Sequence, residues 1–126
     1  SSRPNTPNSG TIRYNTDSEQ LELYSSSSWE PVARSEKIQM SGGMSNSSWN
    51  FLSVSTRGEP VMATLIYRRG SREWIVNPNL NSFQIYIQGN SVAVYFSGDD
   101  LRYYDGTSTE IDNNISGSDL WIHVVY

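Results

Sequence analysis

The sequence predicts an all-β chain, with an N-terminal β-hairpin segment followed by an antiparallel β-sandwich of jelly-roll type. Composition is the first reason. The 126 residues include 22 Ser, 11 Asn and 7 Thr, but only 3 Ala, 7 Leu and one Lys, Lys37. Strong helix formers are scarce, whereas Tyr, Trp, Val, Ile and Thr, which suit a pleated surface, are well supplied. Periodicity is the second: no stretch of about 11 residues carries a 3.6-residue apolar repeat. The third is spacing. Short alternating runs recur between turn signals, as in sandwiches and barrels.

Residues 1–9 hold two prolines and no apolar side chain, so they read as an extended arm or linker. Residues 10–34 form a compact segment. In Thr11–Asn15, Ile12 and Tyr14 alternate with Arg13 and Asn15, as in a half-buried strand. A polar turn over Thr16–Gln20 leads to a second strand at Leu21–Tyr24. The Ser25–Ser28 tract turns the chain again, and Trp29 returns to apolar contact before Pro31 breaks the pattern. A hairpin with a short third strand is marginal alone, so this piece is expected to lean on a partner.

Residues 35–126 are expected to form a β-sandwich knob. Its eight predicted strands are Lys37–Met40, Trp49–Ser55, Val61–Tyr67, Glu73–Val76, Ser82–Gln88, Ser91–Phe96, Leu101–Tyr104 and Leu120–Val125. The clearest hairpin joins Phe83–Gln88 to Ser91–Phe96 through Gly89-Asn90, a pair that tolerates positive φ. Eight strands in sequence are compatible with a jelly roll and with other Greek-key sandwiches.

Several function classes are excluded at this stage. The chain has no cysteine, which removes disulfides, thiol catalysis, zinc–thiolate sites and cysteine-ligated clusters. A formal net charge of −4 gives no general basic field for nucleic acid or an anionic membrane. No run approaches the roughly 18 apolar residues of a membrane span, and no signal-peptide pattern opens the sequence. Without an initiator Met, the sequence is expected to be a processed product or a piece cut from a longer chain.

One local signature is specific. It runs Pro7-x-x-Gly10-x-Ile12-Arg13-Tyr14-Asn15-Thr16-Asp17-Ser18-x-Gln20-Leu21-Glu22-x-Tyr24 and closes with Ser28-Trp29-x-Pro31-Val32. It resembles a segment that recurs in tailed-phage fibre, collar and head-decoration proteins and in some bacterial surface proteins. Serines stand here where that segment usually has a Gly before the Trp. The resemblance implies a small β element within a trimeric fibre, beside a more variable knob. It further implies a structural protein on the virion surface, with other virion proteins and a host surface glycan as partners. Gly10, Ile12, Arg13, Tyr14, Asn15, Leu21, Glu22, Tyr24 and Trp29 would be its assembly residues. Read physically, Tyr14, Leu21 or Leu23 and Trp29 are expected to form a small apolar cluster. Arg13 and Glu22 can pair across the hairpin, and Asn15, Thr16 and Asp17 can satisfy turn amides. A carbohydrate-binding module or lectin-like domain of a secreted protein is the alternative.

Catalytic, metal and cofactor sites are not expected. His123 is the only histidine, and no G-x-S-x-G elbow accompanies it. Residues 97–126 carry a net −5. Asp105-Gly106-Thr107-Ser108-Thr109-Glu110 lacks the spacing of a calcium loop, and carboxylate pairs alone are no glycosidase signature. The Arg57, Arg68, Arg69 and Arg72 cluster amounts to only +2 over residues 57–73. That excess is small for a nucleic-acid groove but suits complementarity between subunits. In Phe83–Gln88, Phe83, Ile85 and Ile87 belong to the core and Tyr86 points the other way. Ligand contact is expected around Asp99, Asp100, Tyr103, Tyr104 and Asp105, where π faces and hydrogen-bond acceptors follow a rigid hairpin. The competing reading buries those tyrosines between subunits.

Overall fold

The computed structural model describes residues 8–17, 19–25, 27–31 and 35–126. Residues 1–7 of the expected arm lie outside the described residues, as do Ser18 and Ser26 of the two expected turns and residues 32–34. The chain divides into two compact units, Ser1–Arg34 and Ser35–Tyr126.

The first unit is a three-stranded antiparallel sheet in the order β1 (Ile12–Asn15), β2 (Gln20–Ser25), β3 (Ser28–Pro31). Its register sets Arg13 opposite Glu22, and Tyr24 opposite Trp29. Arg13 Nε donates to Glu22 Oε1 at 2.9 Å, and the Asn15 amide donates to Glu22 Oε2 at 3.2 Å. The Arg13 guanidinium lies 4.8 Å from the Trp29 ring, which meets Tyr24 edge-on. The Gly10 amide donates to the Tyr24 carbonyl, and the Asp17 amide to the Asn15 side chain. The expected cross-hairpin ion pair is therefore present. The expected apolar cluster is not. Among the described residues of this unit Asn15 and Glu22 are the buried ones, while Ile12, Tyr14 and Leu21 are 63%, 55% and 52% exposed. Alternation puts Trp29 on the opposite face from Tyr14 and Leu21, so these side chains cannot meet.

The second unit is a sandwich. One sheet has four strands in the order β4 (Ser35–Gln39), β12 (Leu120–Val125), β6 (Met62–Arg69), β7 (Arg72–Ile75). The other has three, β5 (Trp49–Ser55), β9 (Ser91–Ser97), β8 (Phe83–Gln88). A separate hairpin pairs β10 (Leu101–Tyr104) with β11 (Thr109–Asp112). A 3₁₀ turn at Gly117–Asp119 precedes β12. Pairing β4 with β12 and β5 with β9 nests early strands against late ones, as a jelly roll does, but β6 and β7 form a consecutive hairpin.

Period-two alternation builds the core. Leu65, Tyr67, Leu120, Ile122 and Val124 from the larger sheet meet Leu52, Val92, Val94 and Phe96 from the smaller. Phe83, Ile85 and Ile87 pack against this cluster, and Tyr86 faces out, as the sequence predicts. Two-residue turns close two of the hairpins, Gly70-Ser71 and Gly89-Asn90, with φ of +61° at Gly70 and +55° at Gly89. A glycine at the first central position is what tight hairpins of this kind need. The basic residues Arg68, Arg69 and Arg72 thus flank a turn: β6 runs two residues further than the sequence suggests, and β7 keeps its expected length but starts one residue earlier.

Ile122 has no solvent exposure and sits in the strand shared by both halves of the larger sheet. Ile122→Ala is expected to cost about 3 kcal/mol, because the lost transfer free energy and the cavity left in the core add. Urea unfolding of the intact protein checks this.

Candidate functional site

The knob offers three accessible regions with distinct chemistry. The first surrounds the β10–β11 hairpin, where ligand contact is expected from sequence. Tyr67 on β6 and Trp74 on β7 are register partners, and Tyr103 on β10 packs over both, with ring centroids 5.3 and 4.7 Å away. The Tyr67 hydroxyl donates to Asp112 Oδ2 at 2.5 Å, and Arg69 donates to the Tyr103 hydroxyl at 3.0 Å. Trp74 Nε1 donates to the Tyr104 carbonyl, and Arg72 to that of Asp105. Together these bonds clamp the β10–β11 hairpin onto β6–β7.

That clamp assigns the expected contact residues to separate places. Tyr103 is half-buried in the aromatic stack, and Tyr104 is 56% exposed. Both line a depression of about 130 Å³ with Tyr67, Trp74 and Leu80. Asp105 accepts from the Thr107 and Ser108 amides, which hold its carboxyl below the usual carboxylate range. Asp99 and Asp100 lie beyond Leu101, which is buried. Asp100 faces a second, polar depression of about 210 Å³ with Asn46, Asn81 and Arg102. Buried Asn81 lies close by, bonded to both backbone groups of Arg102. Asp99 is half-buried, and its carbonyl accepts from the Ile115 amide. The five residues are thus divided among two neighbouring depressions (Tyr103 and Tyr104 in one, Asp100 in the other), a turn at Asp105 and a half-buried position at Asp99.

The arginines expected to serve complementarity between subunits are engaged within the chain. Arg69 and Arg72 hold the acidic hairpin. Arg68 bonds Glu73 at 3.2 Å and stacks 3.8 Å from the centre of the Trp121 ring.

The second region is the outer face of the four-stranded sheet. His123, Lys37, Thr64, Ile66, Glu73 and Ile75 line a groove of about 300 Å³ there. Lys37 and Arg68 both bond Glu73 and hold its carboxyl below the usual range. His123 stands beside its register partner Thr64 and shares the groove with Glu73. Among the described residues no group of three His, Cys, Asp or Glu side chains is placed to hold a metal ion.

The third region is the outer face of the three-stranded sheet, and sequence reasoning missed it apart from Tyr86. Trp49 and Phe51 on β5, Tyr95 on β9 and Tyr86 on β8 all project from it, each more than a third exposed. Phe51 and Tyr95 are register partners with centroids 5.1 Å apart, and Tyr95 stacks on Tyr86 at 6.0 Å. Trp49, Gln84 and Tyr95 border a shallow cavity of about 360 Å³. A signal existed in Trp49-Asn50-Phe51-Leu52-Ser53-Val54: a strand with large apolar residues at both parities must present one set outward.

No protein-family model matches the chain, and no curated protein or solved structure matches it.

The clamp gives a pH-dependent expectation. Burial, reinforced by the bond to Asp112, pushes the Tyr67 hydroxyl well above an ordinary tyrosine. A group whose folded-state pKa is raised contributes stability that is complete below its unfolded value, about 10 for tyrosine, and lost as pH rises beyond it. The urea midpoint is therefore expected to fall above about pH 10, and Tyr67→Phe to make that fall shallower. An unchanged slope in the variant assigns the alkaline transition to other groups.

Proposed function

We propose that the protein is a structural attachment module of the tailed-phage virion-fibre type, working without turnover. Residues 10–34 serve assembly as a homotrimer and docking to other virion proteins, and residues 35–126 form the knob that meets the host surface. One observation carries the reading. The small N-terminal sheet spends its buried face on Arg13, Glu22, Asn15 and Trp29, and leaves Ile12, Tyr14 and Leu21 exposed on the other. A sheet that hides its ion pair and shows its apolar side chains is built to be covered. In a homotrimer this face can turn toward the three-fold axis, where further copies cover it. The G-x-I-R-Y-N-T-D…E-x-Y…W signature coincides with this sheet.

Light scattering coupled to gel filtration is expected to give three times the monomer mass at micromolar concentration. Tyr14→Asp combined with Leu21→Asp is expected to shift that mass to the monomer while far-ultraviolet circular dichroism stays β-rich. A wild-type monomer contradicts the assembly role. An antibody against the knob is expected to label tailed particles in the electron microscope, and label found only on free protein contradicts the virion placement.

A further inference from the structure

We infer that the outer face of the β5–β9–β8 sheet is a carbohydrate-binding surface for an uncharged oligosaccharide. This deepens the attachment reading and rests on it. Every side chain projecting from that face is uncharged: Trp49, Phe51, Ser53 and Ser55 from β5, Ser91, Ala93, Tyr95 and Ser97 from β9, and Gln84, Tyr86 and Gln88 from β8. The core does not need these aromatics, because Leu52, Val54, Val92, Val94 and Phe96 fill the inner face. Trp49 and Phe51 are 57% and 53% exposed, and Tyr86 and Tyr95 are 41% and 37% exposed.

The arrangement matches the two-sided character of a sugar ring. A pyranose has C–H faces that pack on aromatic rings and equatorial hydroxyls that need both donors and acceptors. Phe51, Tyr95 and Tyr86 form a row of rings across the three strands, with centroid spacings of 5.1 and 6.0 Å. The Trp49 ring and the Gln84 side chain flank Tyr95 around the cavity of about 360 Å³. An amide supplies two donors and an acceptor, and a phenol one of each kind, at the edge of such a stack. Aromatic anchors with a few placed polar groups are the usual make-up of a small-ligand site.

Two features select the occupant. The absence of charge disfavours sialic or uronic acids, which call for a cation to meet the carboxylate. Four serines among the eleven side chains disfavour a second copy of the chain, since Ser is depleted at protein–protein interface cores. The exposed apolar face of the N-terminal sheet, with Ile12, Tyr14 and Leu21, has the opposite make-up.

Affinity electrophoresis of the intact protein through gels containing mannan, dextran, galactan or hydroxyethylcellulose tests this, with polygalacturonate as the charged comparison. Retardation is expected in at least one neutral polymer and not in polygalacturonate. Trp49→Ala, Tyr95→Ala and the milder Gln84→Ala are each expected to weaken it, the aromatic variants at least tenfold, with melting temperature and light-scattering mass unchanged. Trp121→Ala on the opposite sheet is expected to retain it. Lack of retardation in all four neutral polymers overturns the inference, as does retardation that survives Trp49→Ala with Tyr95→Ala. A change of mass on Trp49→Ala, with retardation intact, also overturns it and makes the face a subunit interface. Particles that carry the Trp49→Ala protein but adsorb normally count against the sugar site alone. Retardation that depends on Trp49, with the protein absent from particles, counts against the virion placement alone.

Discussion

Backbone pairing of β12 with both β4 and β6 is the connection on which the knob depends. Five residues of β12 face β4 on one side and six face β6 on the other, so the last strand completes the larger sheet. Its inward side chains, Leu120, Ile122 and Val124, have no solvent exposure and complete one wall of the core. Nearly the whole length of the knob lies between Ser35 and its partner Val125. Loop-closure entropy must therefore be overcome before these contacts return any free energy, which makes slow, late-completing folding the expectation for such a topology.

Around that framework, charges and aromatics hold the irregular parts. The β10–β11 hairpin contributes only Leu101 to the fully buried core. It is secured instead by the bonds from Tyr67, Arg69, Trp74 and Arg72. After β12, the Tyr126 hydroxyl donates to the Glu36 carboxylate and accepts from the Arg57 amide, and the Tyr126 ring lies beneath the Arg57 guanidinium. Bonds to charged groups with partial burial are the stronger kind, so a few suffice where apolar contact is thin.

Much of the fold was legible from alternation alone. Trp49–Ser55, Leu101–Tyr104 and Leu120–Val125 are the strands the sequence predicts, with the same ends. Thr109–Asp112 was not legible, because Ile111 is its single apolar residue and is itself exposed, and pairing to β10 is what makes it a strand. Arg68–Arg72 read as a basic patch because Gly70-Ser71 is a turn signal hidden among charges. The larger failure has one cause in both units. Alternation states which side chains share a face, but not which face is covered. That choice is made by neighbours distant in sequence, and it sent Tyr14 and Leu21 outward with Trp49 and Phe51. For the same reason Asp99, Asp100, Tyr103, Tyr104 and Asp105, contiguous on paper, separate around buried Leu101.

The antiparallel match of β4 with β12 has a further consequence. Ser35 and Val125 are direct partners, so the backbone enters and leaves the knob at one pole. A domain with adjacent ends is a self-contained cassette. It can be exchanged between longer chains, or have its ends joined and its chain reopened in an exposed hairpin, without disturbing the strand order that forms its core. Diversification by recombination then has a natural seam, and the aromatic outer face of the β5–β9–β8 sheet can travel intact with the scaffold that shapes it.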